Sequence, residues 1–276
     1  MQLNYRILFV IIGESMNHIE LKALQNTQYK MLKAVDVICK KYDIKYYLIY
    51  GTLLGAVRHK ASIPWDYDID IAMPREEFKK FLKVQDELEK PLKLQHICYS
   101  TIDYAGLTRL IKPNVEGYGD VYIDIFVLDY AKNKSKLLFK LSSYFCTLLH
   151  MAKLSEFEKD IIEKTFSNQP VKKAVVKLSR LVNKLMHGSA NVEKNIYNIT
   201  VSNVPTENYI ILEDIRKLLN TKAFEDVQML QYEDALYPCP ADYDKLLKIW
   251  YGDYMQIPPE GQKYIEEENE LRKSNS

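Results

Sequence analysis

The sequence has few of the residues that make chains flexible, cross-linked or membrane-anchored. Only nine of 276 residues are glycine, which argues against long flexible loops. The four cysteines lie far apart, so we expect reduced, buried thiols rather than a zinc or redox motif. The apolar run at residues 7–12 is much shorter than the about 20 residues of a membrane-spanning helix and lacks the features of a secretory signal. We therefore expect a cytoplasmic protein.

The chain as a whole also lacks a clear excess of either basic or acidic residues. The 38 basic and 37 acidic residues leave a net charge of +1, which argues against a nucleic-acid binder that works by bulk charge. The hydrophobic fraction of 47% and the charged fraction of 27% are typical of a globular protein and exclude a disordered one. The composition therefore predicts a globular enzyme or binding protein.

Hydrophobic periodicity predicts strands and helices that alternate in the first half of the chain, followed by helices alone. Predicted strands occupy residues 45–50, 69–73, 92–97, 107–111 and 121–128. Predicted helices occupy residues 20–42, 53–59 and 75–89, three stretches between 135 and 201, and a turn and helix at 238–250. This pattern indicates an α+β fold with a mixed sheet and a helical lobe.

The densest polar cluster is the run of Asp66, Asp68 and Asp70. On an extended chain, acids at every second position lie on one face. Their mutual repulsion favours a cation between them, and Mg²⁺ prefers oxygen ligands. A solvated acidic turn is the alternative interpretation.

A further acid, Asp124, stands inside an otherwise apolar predicted strand. A lone buried carboxylate is costly unless it is paired or bound to a metal. Asp124 is thus the best single-residue indication of a site. The alternative is a salt bridge to a core arginine such as Arg109.

A strand-to-helix turn at Gly51-Thr52 precedes the acidic run. Glycine allows close approach of a phosphate, and a helix N-terminus offers free N–H groups. Arg58 and His59 follow at the end of the predicted helix and suit an anionic oxygen. Taken alone, this turn is a weak signal.

Together these motifs resemble a known family. The segments YGTLLGAVRHKASIPWDYDIDIAMPREEF at 50–78, Ile123-Asp124-Ile125-Phe126, and YPCPADYDKLLKIWYGDYMQIPP at 237–259 are similar to the LicD family of phosphotransferases. The resemblance covers residues 17–265, with a divergent middle at 132–220. It implies a nucleotidyltransferase-like, polymerase-β-like mixed sheet core.

The resemblance also implies an activity. The family transfers phosphocholine, or a related alditol or glycerol phosphate, from a CDP-activated donor to surface glycans such as teichoic acid, lipopolysaccharide or capsule. It implies that Asp68 and Asp70 bind Mg²⁺, or alternatively Mn²⁺, with Asp124 as third catalytic and metal-binding acid. Gly51 and Thr52 would contact the donor phosphates, with Arg58 and His59 nearby.

One position departs from the family pattern and bears on the donor headgroup. Tyr67 replaces the middle acid of the usual Trp-Asp-Asp-Asp-Ile-Asp, which leaves the Asp68/Asp70 pair intact. If the headgroup is choline, aromatic faces should enclose its quaternary ammonium. The candidates, each of which could equally be a core-packing residue, are Trp65, Tyr67, Trp250, Tyr251 and Tyr254.

Two other functions stay open at this stage. An enzyme of the same fold could transfer the nucleotide itself and release pyrophosphate. A non-catalytic glycan-binding relative is also conceivable, although the presence of all three acids argues against it. The headgroup, the acceptor glycan, the number of metal ions and the oligomeric state are not determined by the sequence.

The predicted organisation is an N-terminal extension at 1–16, a catalytic core at 17–131, a helical basic lobe at 132–220 and a C-terminal segment at 221–276 that returns to the site.

Residues 131–188 contain twelve basic and four acidic residues, a net charge of +8, which leaves a net charge of −7 on the rest of the chain. Residues 171–188 predict a basic amphipathic helix beside a strongly apolar one at 137–154. This pair suits the anionic inner face of a membrane; a lobe that packs its own apolar stripes is the alternative. The basic positions are Lys173, Lys177, Arg180 and Lys184, and the apolar stripe is Val171, Val175, Leu178, Val182 and Leu185.

Overall fold

The structure is a computed structural model that describes residues 18–96, 106–132, 135–157, 170–185 and 192–263. The predicted extension at 1–16 lies outside these residues. The described chain forms two compact units, the first made of residues 18–95, 109–125 and 226–263 and the second of residues 106–108, 126–132 and the described part of 135–225, with His96. Both units are built from the elements that follow.

The elements alternate between strands and helices in the first part of the chain, and the described elements between 136 and 200 are helical, as the periodicity predicts; the four strands between 208 and 240 are not predicted by it. In chain order they are α1 (His18–Lys41), β1 (Tyr47–Leu48), α2 (Tyr50–Arg58), β2 (Asp70–Pro74), α3 (Arg75–Lys83), β3 (Lys93–His96), β4 (Leu107–Val115), β5 (Gly119–Tyr130), α4 (Lys136–Phe157), α5 (Pro170–Leu185), α6 (Val192–Thr200), β6 (Asn208–Ile210), β7 (Leu219–Asn220), β8 (Val227–Tyr232), β9 (Ala235–Pro240) and α7 (Tyr243–Tyr251). Short 3₁₀ turns occur at Gln85–Glu87, Leu212–Asp214 and Thr221–Phe224.

The strands of the first unit lie in the order β1-β2-β5-β4-β3. Strand β1 is antiparallel to β2, with Tyr47 opposite Ala72 and Leu48 opposite Ile71. Strand β5 is buried continuously from Ile123 to Asp129, as expected for a central strand. The amphipathic α1 buries its apolar stripe. The acidic run therefore leads directly into a central part of the sheet.

Two predicted boundaries in the first unit are wrong. The strand predicted at 45–50 is only Tyr47–Leu48, because Tyr50 has a positive φ of 47° and begins α2. Gly51 and Thr52 consequently lie in the first turn of that helix rather than before it. The turn predicted at 238 is also wrong, since Pro238 pairs with Met229 inside the antiparallel β8–β9 hairpin.

The second unit contains the three helices predicted between 135 and 201, which confirms that expectation for the described residues. Cys146 and Leu149 of α4 pack with Val192 and Ile196 of α6 in one apolar core cluster. Strand β6 pairs with the end of β5, and β7 pairs with β6, both antiparallel. The helical residues therefore enclose an apolar core of their own.

A search for membrane-spanning helices, restricted to the residues with described positions, finds none of sufficient length and apolarity.

Candidate active site

The acidic run lies at the entry of β2. Asp70 is the first residue of that strand and is only 4% exposed. Its backbone N–H donates to Thr52 Oγ1 at 2.8 Å, which fastens the strand to the first turn of α2. Asp68 has a buried carboxylate oxygen, Oδ1, that finds no hydrogen-bond partner within the described residues. A buried, unpaired carboxylate oxygen is costly and indicates a missing ligand.

Asp124 lies next to this run, on the neighbouring strand β5. Its backbone N–H donates to the carbonyl of Ile69 at 2.8 Å, and its side chain accepts from Arg109 Nε at 2.8 Å. Burial raises the pKa of Asp124 to about 6; Arg109 opposes this shift, and the negative charge of Asp68 adds to it. The two carboxylates are therefore close enough to repel.

Asp124 forms a salt bridge with Arg109, which is the alternative that the sequence analysis leaves open for this acid. The guanidinium of Arg109 also lies 3.9 Å from the ring centre of Tyr122, so it is held on two sides. Arg109 thus supplies part of the positive charge that buried Asp124 requires. A metal ion would supply further positive charge only if the atoms around Asp124 suit it as ligands.

The donor chemistry suits a hard cation, but the arrangement is not a complete ligand set. Asp68, Asp70 and Asp124 offer only oxygen atoms, and one oxygen of Asp68 has no partner among the described residues. No three His, Cys, Asp or Glu side chains in the described ranges come together as a metal site. The predicted binding of Mg²⁺ or Mn²⁺ by these acids stays a prediction.

Gly51 and Thr52 both contact the acidic run. A Cβ atom on Gly51 would lie 2.3 Å from Asp66 Oδ2, so a side chain there would displace that carboxylate. Thr52 is 2% exposed, and its hydroxyl accepts from Asp70. Their observed contacts hold the helix against the acids, and their contact with donor phosphates stays a prediction.

Arg58 and His59, at the end of α2, contact the C-terminal segment and Trp65. Arg58 donates to the carbonyl of Tyr254 at 2.8 Å and to that of Gln256 at 3.3 Å, and burial lowers its pKa. The imidazole of His59 meets the indole of Trp65 edge-on, with ring centres 5.8 Å apart. Arg58 therefore positions residues 254–256 beside the helix.

A cavity of about 630 Å³ in the first unit lies beside the acidic run and is lined by Asp66, whereas Asp68, Asp70 and Asp124 are not among its lining residues; its volume is within the size range of small-molecule sites. Four of the five aromatic headgroup candidates line it; the fifth, Trp250, is not among the lining residues and packs on Tyr50 at 4.6 Å between ring centres. The lining residues are Gly51, Leu54, Arg58, Ile63, Trp65, Asp66, Tyr67, Tyr251, Asp253, Tyr254, Gln256, Ile257, Pro258 and Pro259.

Two glutamines of α1 hold the acidic run in place, and the sequence reading missed them. Gln25 Nε2 donates to the carbonyls of Ile63 at 2.9 Å and Asp66 at 2.6 Å. Gln28 Nε2 donates to those of Tyr67 at 2.8 Å and Tyr122 at 3.0 Å. Both are nearly fully buried. The available signal was that two polar residues share the apolar face of α1 with Leu21 and Leu32.

The β8–β9 hairpin fixes the segment just before the acidic run. Glu233 accepts from the backbone N–H of Ser62 at 3.0 Å and donates its own backbone N–H to the Lys60 carbonyl at 2.8 Å. The hydroxyls of Ser62 and Tyr232 are 2.9 Å apart. Residues 232–233 therefore support the segment before the acidic run, although no local sequence pattern predicts this hairpin.

The first unit is thus an α+β domain that places buried carboxylates from adjacent strands beside a cavity with aromatic walls. Residues 43–173 match the family described as LicD/FKTN/FKRP, nucleotidyltransferase domain. This stretch of the chain is therefore similar to the nucleotidyltransferase domain of the LicD family, and the resemblance drawn from the motifs is confirmed.

Curated relatives extend this result. The chain is 26% identical over 261 residues to "Lipopolysaccharide cholinephosphotransferase LicD" of Haemophilus influenzae, covering 89% of this chain and 95% of that protein. Shorter matches are 31% identical over 106 residues to an uncharacterized protein of Rickettsia prowazekii and 38% identical over 71 residues to one of Rickettsia typhi. These matches cover 35% and 22% of the two Rickettsia proteins.

Proposed function

We propose that this chain transfers phosphocholine, or a related alditol or glycerol phosphate, from a CDP-activated donor to a hydroxyl of a surface glycan. Lipopolysaccharide is the acceptor we favour, because the match to the Haemophilus relative covers nearly the full length of both proteins. Teichoic acid and capsule are the other acceptors of this class. We propose that the core has the polymerase-β-like nucleotidyltransferase fold and acts in the cytoplasm, where nucleotide-activated donors are available.

The observation that carries this proposal is the pair of buried carboxylates on adjacent segments. One oxygen of Asp68 lacks a partner in the described residues, and the charge of Asp68 raises the pKa of Asp124. An added positive charge would relieve both costs. We propose that Asp68, Asp70 and Asp124 hold Mg²⁺ or Mn²⁺, which would neutralise charge on the donor phosphates and acidify the acceptor hydroxyl.

The chain's own residues would then bind and orient the substrates. Asp124, which accepts a hydrogen bond from Arg109, would receive the acceptor proton or direct it. Gly51 and Thr52, in the first turn of α2, would face the donor phosphates.

The cavity provides the space for the rest of the donor. Trp65, Tyr67, Tyr251 and Tyr254 line it and would supply the aromatic faces that attract a quaternary ammonium. Arg58 lines the same cavity and anchors the C-terminal segment. Donor binding therefore depends on residues from both ends of the first unit.

Product analysis tests the reaction. The purified chain, CDP-choline, Mg²⁺ and lipopolysaccharide should release CMP and add the mass of phosphocholine to the glycan. Removal of divalent cations by a chelator should stop both, and Asp68→Asn should match that result. Modified glycan without CMP release, or full activity in chelator, would contradict the proposal.

Nucleotidyl transfer is the second candidate, and the description of the matching family domain favours it. In that reaction a nucleoside triphosphate is the donor and pyrophosphate leaves. The same assay with CTP and a phosphorylated alditol or choline distinguishes the two: pyrophosphate release supports the second candidate, and CMP release from CDP-choline supports the first.

A further inference from the structure

The helices α4 and α5 of the second unit expose large apolar side chains. Seven of them are between 51% and 73% exposed, although the two helices pack on each other and on the core cluster. Exposure on this scale is not needed for packing, because Cys146 and Leu149 of α4 already fill the core. The exposed residues are Leu137, Leu138, Leu141 and Tyr144 of α4 and Leu178, Leu181 and Leu185 of α5.

The apolar stripe that the sequence predicts on α5 does not face one way. Val182 packs against the core cluster, whereas Leu178 and Leu185 are exposed. The side chains of Val171, Val175 and Lys173 lie outside the described residues. The lobe therefore satisfies its own core and leaves a second apolar set in solvent, so self-packing alone does not account for the stripe.

Exposed lysines accompany these leucines. Lys177 and Lys184 lie on the face of α5 that carries Leu181, at helical spacings of four and three residues. Lys140 is exposed on α4 beside Leu137 and Leu141. The surrounding sequence from 131 to 188 has a net charge of +8, while the rest of the chain has −7. A partner of this face must be both apolar and anionic.

From this combination we infer that the exposed faces of α4 and α5 dock on the surface of an anionic phospholipid membrane. Leucines and Tyr144 would enter the headgroup boundary, and the lysines would pair with lipid phosphates. A protein partner can also bury an apolar patch, but exposed leucines beside lysines on amphipathic helices are the pattern of helices that lie in a membrane interface, which favours the membrane. The inference stands on the second unit and does not depend on the transfer reaction.

Vesicle co-sedimentation of the full chain tests the inference. Binding should occur to vesicles of phosphatidylcholine with phosphatidylglycerol, should be far weaker to phosphatidylcholine alone, and should fall at high salt. Each lysine near an anionic surface contributes about fivefold in binding, ~1 kcal/mol. The triple variant Lys140→Glu, Lys177→Glu, Lys184→Glu should therefore bind at least about a hundredfold more weakly.

A matched control changes the same charge elsewhere. Lys30, Lys83 and Lys93 are exposed lysines of the first unit; their replacement by Glu alters the net charge equally and should weaken binding only slightly. A second variant, Leu178→Ser, Leu181→Ser, Leu185→Ser, keeps the charge and should also lose binding. Circular dichroism and melting temperature confirm that each variant is folded.

Three results would overturn the inference. Equal binding to neutral and anionic vesicles would remove the role of charge, and normal binding of the serine variant would remove the role of the leucines. No vesicle binding, together with a dimer that the serine variant dissociates in ultracentrifugation, would identify the face as a contact between two copies. Transfer to a water-soluble acceptor is measured in parallel and should be unchanged in the lysine variant, so failure of the docking is distinguishable from failure of the reaction.

Discussion

The two units of the chain concentrate different exceptions to the usual distribution of polar and apolar residues, although exposed apolar residues such as Ile19 and Val37 also occur in the first unit. In the first unit polar side chains are buried: Gln28 is 2% exposed, Asp70 4% and Asp124 8%. In the second, Leu178 and Leu185 are exposed by 51% and 73%. Buried polar side chains and grouped exposed apolar ones are the informative exceptions to the usual distribution. The comparison teaches that the polar exceptions define the proposed chemical site and the apolar exceptions the proposed docking surface.

The largest effect is expected where the buried charge is densest. Asp68→Asn and Asp70→Asn should each reduce transfer at least about a thousandfold, because each removes a charge proposed to bind the cation. Without Mg²⁺ the melting temperature should stay unchanged or rise, since repulsion among the acids is relieved. Glu76→Gln, an exposed acid on α3, is the control for a lost charge and should keep full activity. Wild-type turnover in either Asp variant would refute the assignment.

The next effect separates the catalytic role of Asp124 from its salt bridge. Asp124→Asn keeps the shape and should lower the rate at least about a hundredfold. It should also destabilise the fold by about 1–3 kcal/mol, because the partly buried guanidinium of Arg109 loses the negative charge of Asp124. Rate and urea unfolding are measured on the same preparation.

A double variant completes this test. Arg109→Gln with Asp124→Asn removes both charges and should recover most of the lost stability without recovering the rate. If the double variant regains activity, Asp124 has only a structural role, and the salt bridge is the whole explanation for its burial.

The buried glutamines should give an intermediate effect. Gln28→Leu leaves the carbonyls of Tyr67 and Tyr122 without their donor, which should cost about 1–3 kcal/mol. The acidic run would lose its fixed position, so we expect transfer to fall about tenfold by loss of orientation. Asn26→Leu, at an exposed position of the same helix, is the matched control. Equal effects of the two variants on rate would show that Gln28 does not position the site.

Much of the first unit could be predicted, and the reason is local. The acidic run, Asp124 in its apolar strand and the helix α1 each follow from spacing and hydrophobicity within a short window. The start of α2 could not be predicted, because Tyr50 adopts a positive φ that its sequence does not demand. The contacts of the β8–β9 hairpin with residues 60–62 and those of Gln25 and Gln28 also escaped prediction, since they join residues that are far apart in the chain.

The second unit shows the opposite limit of sequence reasoning. Its three helices follow from periodicity, and the described residues confirm them. Periodicity does not predict which apolar residues enter the core. Val182 and Leu185 differ little in hydrophobicity, yet Val182 packs against the core cluster and Leu185 is exposed. Only tertiary packing decides between two adjacent stripes of the same helix.

The smallest effect tests that distinction directly. Leu181→Ala, at a side chain 56% exposed, should change the free energy of unfolding by less than about 0.5 kcal/mol, because almost no core contact is lost. Leu149→Ala, at a fully buried position in the same unit, should cost about 2–5 kcal/mol, because it leaves a cavity. Both are measured by urea unfolding without lipid, and Leu181→Ala alone should weaken vesicle binding. Similar destabilisation by the two variants would mean that Leu181 is buried in solution, and the contrast between the two units would then be wrong.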